Sequence, residues 1–126
     1  MKLFLDQNAS ANIITGHAAD HVQINKVRHE GNLLLTASRI LPGWAPGGYE
    51  GLSVADFETI AALDVTVVLI GTGARQRFPS PALLRPLIEA RIGFEIMDLP
   101  AACRTYNILV GEGRAVGAAL LLDKPA

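Results

Sequence analysis

Residues 65–122 decide the fold; they read VTVVLIGTGARQRFPSPALLRPLIEARIGFEIMDLPAACRTYNILVGEGRAVGAALLL. Val65 to Ile70 is apolar on both faces and rich in β-branched residues, which is typical of a central strand covered by helices on both sides. Further strands are predicted at Phe94 to Met97 and at Arg114 to Leu122, with segments of helical period before each of them. Strands that alternate with helices at this spacing predict right-handed crossovers and a largely parallel core.

The first two helices are predicted from their end signals. Ser53 has Asp56 at capping-box spacing, so a helix should begin directly after it. The next helix should begin with Ser80 as N-cap and Pro81 in the first turn, and Gly93 should end it in the left-handed conformation. Both helices have an apolar stripe of helical period, which we expect to pack on the sheet.

The third helix should begin after Asp98 and end near Gly111. Cys103, Arg104 and Asn107 share one of its faces, since residues three and four apart are neighbours on a helix. We expect the opposite face to be buried; it carries Ala101, Thr105, Ile108 and Leu109.

The N-terminal third predicts additional strands. His21 to Arg28 and Leu33 to Ala37 are expected to pair as a β-hairpin across the turn-forming segment 29–32. Residues 41–51 (LPGWAPGGYEG) contain two prolines and four glycines and should form a long loop. Its tryptophan and tyrosine either anchor a partner or fold down onto the core. The expected fold is therefore α/β, with three layers, a central mixed and mostly parallel sheet between helices, and an additional N-terminal hairpin.

Length and composition exclude several classes of protein. The chain has 126 residues, of which 50% are hydrophobic and 18% are charged, and a formal net charge of -1. This composition predicts one compact domain, residues 1–126, and not a disordered chain. A nearly neutral chain has no bulk attraction for nucleic acid, so a nucleic-acid partner is not expected.

The N-terminus and the cysteine count bear on location. An Asp-Gln-Asn segment interrupts MKLFLDQNAS before it can form the apolar region of a signal peptide, and no apolar run is long enough to cross a bilayer. The single cysteine, Cys103, cannot form an internal disulfide, which fits a reducing compartment. We expect a soluble cytoplasmic protein with no transmembrane segment.

A candidate ligand site follows the Val65–Ile70 strand, because open α/β sheets bind ligands beyond the carboxyl ends of their strands. Glycine allows close approach to backbone amides, and arginine side chains bind anions. The loop lacks the third glycine of a dinucleotide fingerprint, so ordinary turn chemistry and a bound anion both remain open. The candidate ligand-binding residues are Gly71, Thr72, Gly73, Arg75, Arg104 and Asn107.

Cys103 is the candidate reactive thiol. Near the start of a helix and beside Arg104 its thiolate would be favoured, as a nucleophile or redox sensor requires. Lone cysteines are also common as inert core residues, and no histidine is near in sequence to act as a base. His17 and His21 have H-x-x-x-H spacing but no further ligands nearby, so no metal site is expected. The sequence contains no complete catalytic set, and we expect no catalytic residue and no cofactor.

The motifs VVLIGTGARQRFPSP, ARIGFEIMD and AACRTYNILVGEGR together resemble the Mth938-like family of domains of unknown function. This family includes the mitochondrial respiratory complex I assembly factor 3 and adipogenesis-associated Mth938-type proteins. The resemblance covers residues from about Ile24 to Leu122. It implies a three-layer α/β fold with an additional β-hairpin, and for the assembly factors a role exerted through protein contacts.

Two functions remain as hypotheses. The first is a non-enzymatic interaction or assembly-factor module whose partner is another protein. The second is a small-molecule or anion-binding enzyme with a cleft at the strand ends, built from the candidate residues named above. A homodimer is compatible with the apolar composition.

Overall fold

A computed structural model describes residues 10–123, which form two β-sheets and three α-helices. The strands are β1 (Ile14–Ala18), β2 (His21–Ile24), β3 (Val27–His29), β4 (Leu33–Thr36), β5 (Ile40–Pro42), β6 (Val67–Thr72), β7 (Gly93–Met97) and β8 (Val116–Leu121). The helices are α1 (Val54–Ala61), α2 (Arg85–Glu89) and α3 (Leu99–Gly111), and a 3-10 turn, Pro81–Leu84, leads into α2. The prediction that the N-terminus does not form a signal peptide concerns residues 1–9, which lie outside the described residues.

The larger sheet has the strand order β5-β4-β8-β6-β7 and is mixed. Strand β6 runs parallel to both β8 and β7, whereas β4 is antiparallel to β8 and β5. The parallel half comes from the strand-helix-strand units of residues 65–122, as expected. Strand β8 occupies the middle position and β7 lies at an edge.

Two apolar cores cover the two faces of this sheet, because neighbouring residues of a strand point to opposite faces. On β8, Ala118 and Leu120 belong to the core beneath α3, and Ala119 and Leu121 to the core beneath α1 and α2. The smaller sheet, in the order β1-β2-β3, packs its buried Ile14, Val22 and Ile24 into the α3 core. The α/β class, the mixed sheet between helices and the additional N-terminal hairpin are thus confirmed.

The hairpin has different strands from those predicted. Strand β2 pairs with β1 and β3, whereas β4 joins the larger sheet. The predicted strand His21–Arg28 is broken at Asn25 and Lys26, which have φ angles of 51° and 68°. Two consecutive left-handed residues form the tight turn that suits a two-residue hairpin connection, and asparagine tolerates this conformation well. The turn at residues 29–32 therefore connects the two sheets and does not form the hairpin loop.

Helix ends predicted from local hydrogen bonding are confirmed where the side chain forms the bond. Ser53 and Asp56 form the reciprocal capping box of α1, and the Asp98 side chain caps α3 by accepting from the Ala101 N–H. Ser80 makes no such bond, and Pro86 divides the expected second helix into the 3-10 turn and α2.

The end of α2 also differs from the prediction. Arg91, with φ 58°, takes the left-handed position, while Gly93 is already the first residue of β7. The chain thus turns two residues earlier than the glycine signal suggested.

The buried face of α3 was predicted wrongly. Its buried residues are Leu99, Ala102, Cys103, Tyr106 and Val110, whereas Ile108 is 60% exposed. The two stripes have the same helical spacing and differ by a rotation about the helix axis, so periodicity did not separate them. Burial of the large Tyr106 ring decides the orientation, and it moves Cys103 into the core.

Candidate functional site

The strand-end turn, residues 71–77, is fixed mainly by Thr72 and Gly73. Thr72 is fully buried, and its hydroxyl donates to the Arg75 carbonyl at 2.6 Å and accepts from the Arg77 N–H at 2.9 Å. Gly73 has φ +85°, and its carbonyl accepts from the Leu99 N–H at 2.7 Å. The turn is therefore tied directly to the start of α3.

Arg77 connects this turn to two other segments. Its Nη2 donates to the Thr72 carbonyl at 2.9 Å, and its guanidinium carbon lies 4.2 Å from the centre of the Tyr49 ring. The same Nη2 is 3.7 Å from Asp123, whose carboxylate accepts from the Ala74 N–H at 2.8 Å. Arg77, Tyr49 and Asp123 thus hold the turn against the loop before α1 and the segment after β8. The sequence placed Arg77 in the strand-end loop but did not predict its contacts or the part that Asp123 plays, since these contacts join positions far apart in sequence.

Beside the strand-end turn lies a cavity of about 190 Å³. Its lining comes from the β1–β2 connection (His17, Ala18, Ala19), the turn (Gly73, Ala74), the start of α3 (Leu99, Pro100) and Asp123. The lining is mostly apolar, and its charged member is a carboxylate. An anion would meet repulsion from Asp123 in this cavity.

The structure does not gather the six predicted ligand residues around this cavity; of these, Gly73 alone lines it. Gly71 and Thr72 are buried, and a Cβ added to Gly71 would lie 3.0 Å from the Ala102 Cβ, so Gly71 allows close approach of α3. Arg75 and Arg104 are exposed, and within residues 10–123 neither side chain has a hydrogen bond or ion pair.

Asn107 has a structural contact that the sequence did not reveal. Its side-chain oxygen accepts from the Ile14 N–H at 2.9 Å, and its Nδ2 donates to the Ile14 carbonyl at 2.8 Å. This side chain therefore pairs with β1 as a neighbouring strand would. The adjacent Tyr106 hydroxyl donates to the Asn12 carbonyl at 2.8 Å, so two side chains of α3 hold β1 and the segment before it.

Cys103 is buried in the α3 core, with 3% of its surface exposed. Burial raises the pKa of the thiol to about 12, and this effect is larger than the opposing effect of the positive charge of Arg104. A neutral, enclosed thiol is a poor nucleophile. The described part of the chain also contains no group of three His, Cys, Asp or Glu side chains placed to hold a metal ion.

The loop aromatics differ in exposure. Trp44 is 5% exposed and its Nε1 donates to the Asp56 carbonyl at 2.9 Å, so it folds onto the core beneath α1. Tyr49 donates to the Phe78 carbonyl at 3.0 Å and supports the strand-end turn from outside.

A second concave surface, the edge groove, runs along the side of β7 that pairs with no other strand in the described part of the chain. It has a volume of about 450 Å³ and is lined by Gln76, Phe78, Pro79, Pro81, Leu84, Phe94, Glu95 and Ile96. Phe78 is 67% exposed, which is unusual for an aromatic side chain of this size. The sequence contained a signal for this surface in the Arg-Phe-Pro segment that follows the glycines.

Residues 14–121 match the model of a family described as protein of unknown function (DUF498/DUF598). The chain belongs to this family. Its curated relatives include the bovine (Bos taurus) NADH dehydrogenase [ubiquinone] 1 alpha subcomplex assembly factor 3, which is 34% identical over 97 residues, or 72% of this chain and 53% of the relative. The chain therefore spans about half the length of the curated assembly factors it matches.

Solved structures that are similar to this chain have the same fold. A crystal structure of a Bordetella parapertussis protein has a TM-score of 0.83 and 34% identity, with 90% of this chain and 98% of that chain covered. A solution structure of a Bordetella pertussis protein, described as a Mth938-like domain, has a TM-score of 0.79 and 28% identity, covering 91% and 88% of the two chains. The predicted resemblance is confirmed. Among residues 10–123, no helix is long and apolar enough to cross a membrane.

Proposed function

We propose that this protein is a non-enzymatic interaction module that takes part in assembling a protein complex. The observation that carries the proposal is its 34% identity to the bovine respiratory complex I assembly factor over 72% of this chain. The partner is another protein, bound through the face that bears the strand-end loops. We also propose that it acts in the cytoplasm as a single domain.

The contacts of the strand-end turn support this proposal. Thr72, Arg77 and Asp123 bond to one another or to nearby backbone, so they form a rigid support and leave little polar chemistry for a substrate. Phe78, which follows this support directly, is 67% exposed. Aromatic side chains are common anchors of protein interfaces.

Site-specific photo-crosslinking tests the proposal in the cells that naturally produce the protein. A photoreactive amino acid replaces Arg75, which is exposed in the strand-end loop, or Ile108, which is 60% exposed on α3. We expect a reproducible protein adduct from position 75 and a much weaker one from position 108. Deletion of the gene should also lower the amount of assembled NADH dehydrogenase on native gels. Absence of an adduct at position 75 together with normal assembly would reject the proposal.

A small-molecule or anion-binding enzyme is a second proposal. The cavity beside Gly73 favours a ligand without negative charge, whereas an anion would bind outside the cavity, at the exposed Arg75 and Arg104. In this alternative Arg75 and Arg104 supply the charge and the glycine backbone positions the ligand, and Asn107 would take part by exchanging its bonds to Ile14 for bonds to the ligand. Phosphate should then raise the melting temperature of the wild type more than that of Arg104→Ala. Equal increases in the two proteins would remove Arg104 from the proposed site.

A further inference from the structure

We propose that the edge groove binds an extended segment of a partner protein, which adds to the larger sheet as a sixth strand beside β7 and places a basic side chain opposite Glu95. This inference rests on the proposed function, since it specifies which surface of the interaction module binds and what kind of segment it accepts.

The backbone of β7 supplies the first argument. The Gly93 N–H donates to the Thr66 carbonyl at 3.0 Å, so the backbone groups of Gly93 face β6. Because backbone groups alternate in direction along a strand, those of Glu95 and Met97 also face β6. Phe94 and Ile96 therefore direct their backbone groups to the free edge. Gln76 Nε2 donates to the Ile96 carbonyl at 2.7 Å, which agrees with this orientation.

Three backbone groups remain open at this edge. Within the part of the chain that the structure describes, the Phe94 N–H, the Phe94 carbonyl and the Ile96 N–H have no hydrogen-bond partner. An extended peptide satisfies such a row of groups by adding a strand to the sheet. Gln76 already occupies one position of the row, so it marks where the added strand would end.

The side chains of the groove supply the second argument. Phe94 and Ile96 share one face of β7 and form an apolar floor with Leu84, while Phe78 stands 67% exposed at the rim. The volume of about 450 Å³ lies within the range of about 300–1,000 Å³ that binding clefts usually have. A bound segment would therefore bury apolar side chains at alternate positions against this floor.

The charge of the groove indicates the remaining positions of the bound segment. Glu95 is the charged member of the lining, is exposed, and has no ion pair within residues 10–123. Residues directly opposite on paired strands share a face, and opposite charges there stabilise the pair. The preferred segment thus alternates apolar residues with lysine or arginine, whereas acidic segments are disfavoured.

Two synthetic peptides of equal length test the proposal with the full chain. One peptide alternates valine with lysine and the other alternates valine with glutamate, and both have blocked termini. Binding is followed by NMR through the amide resonances of Phe94 and Ile96 and through the hydrogen-exchange rates of the same amides. We expect the lysine peptide to shift both resonances saturably and to slow both exchange rates, with much weaker effects from the glutamate peptide.

Matched variants distinguish binding at this groove from non-specific binding of the peptide. Phe78→Ser should lower the affinity for the lysine peptide by about tenfold, as truncation of an interface aromatic side chain does. Glu95→Lys should reverse the preference between the peptides. Ile108→Ser and Glu112→Lys alter exposed residues of α3 and of the segment after it, and should leave binding unchanged. Melting temperatures close to the wild type would show that all four variants fold.

N-methylation of the lysine peptide at alternate residues removes its inward N–H donors and should abolish binding. The proposal fails if the methylated peptide binds equally, if the two peptides bind equally, or if the shifts lie away from β7. It also fails if phosphatidylcholine vesicles, and not the peptide, perturb Phe78, since the exposed ring would then be a membrane contact. The photo-crosslink from position 75 distinguishes the two proposals. If it persists in Phe78→Ser, the protein still binds its partner without the edge groove, so the proposed function stands and this inference fails.

Discussion

Gly73 has no space for a side chain. Its φ of +85° is unfavourable for other residues, and an added Cβ would overlap the Asp123 carboxylate and lie 3.3 Å from the Arg77 Nη2. Both neighbours belong to the network that holds the strand-end turn. The glycine at this position therefore serves the turn, whether or not a ligand also binds there.

Gly73→Ala should lower the free energy of unfolding by about 1–3 kcal/mol, since it combines a strained backbone with displacement of Asp123. Urea unfolding followed by circular dichroism measures the loss. Gly111→Ala is the matched control, because its added Cβ has no described atom within 4 Å apart from its chain neighbours and its own helix backbone, and its φ is not in the left-handed region. Equal stabilities of Gly73→Ala and the wild type would contradict this explanation of the turn.

The burial of Cys103 predicts a dependence of stability on pH. The pKa of the thiol rises from 9.0 to about 12 in the folded protein, because burial disfavours the thiolate. The unfolded chain thus loses this proton first, so the contribution to stability is complete below pH 9 and is lost as the pH rises from about 9 to about 12.

We therefore expect the free energy of unfolding to fall less in Cys103→Ala than in the wild type when the pH rises from about one unit below to one unit above 9. Burial also raises the pKa of Tyr106, and that contribution is common to both proteins. Urea unfolding at the two pH values measures the difference. Identical losses would show that the thiol ionises as readily in the folded state as in the unfolded chain.

Residues whose hydrogen-bond partners are near in sequence could be predicted from the sequence. Ser53 and Asp98 cap helices through bonds to residues three positions away, so a short motif contains all the information needed. Asn107 bonds to Ile14, 93 positions away, and the Arg77–Asp123 pair is likewise distant in sequence. Neither contact could be read from a motif, and for that reason Asn107 was predicted as a ligand residue.

At the scale of elements, α3 is the structural link between the two sheets. Its core residues pack on β6 and β8, and they also pack on the buried side chains of β1 and β2. A helix that is covered on two sides has a broad apolar surface. Its hydrophobic period therefore specified a helix correctly but did not determine which residues face the larger sheet.

Asn107→Ala should loosen the smaller sheet selectively. The variant leaves the Ile14 N–H and carbonyl without their side-chain partner, which costs about 1–3 kcal/mol when such groups are partly buried. Hydrogen exchange at β1 and β2 should accelerate more than exchange at β6 and β8. Arg104→Ala, an exposed change on the same helix, is the control and should leave both sets unchanged. If hydrogen exchange in Asn107→Ala accelerates equally in both sheets, the smaller sheet does not open independently of the larger one.

At the scale of the whole molecule, the two cores share the larger sheet, since each strand contributes side chains to both. Loss of one core would expose the opposite face of the same strands. We therefore expect a single cooperative unfolding transition, in agreement with the single domain proposed from chain length.

The two cores contain separate reporters for this test. Trp44, the single tryptophan, reports by fluorescence on the core beneath α1 and α2, and Cys103 reports by thiol labelling on the core beneath α3. The urea midpoints from the two reporters should coincide. Separate midpoints would reveal two independently unfolding units.

The central position of β8 has a consequence for synthesis on the ribosome. Strands β4 and β6 do not pair with each other; each pairs with β8, which follows both in the sequence. The two halves of the larger sheet therefore cannot join until residues 116–121 have emerged from the exit tunnel. Until then the nascent chain displays unpaired strand edges and apolar faces, the features that recruit chaperones and lead to aggregation. The larger sheet accordingly cannot be completed before β8 is available, and ribosome-stalled chains that stop before β8 should remain sensitive to protease.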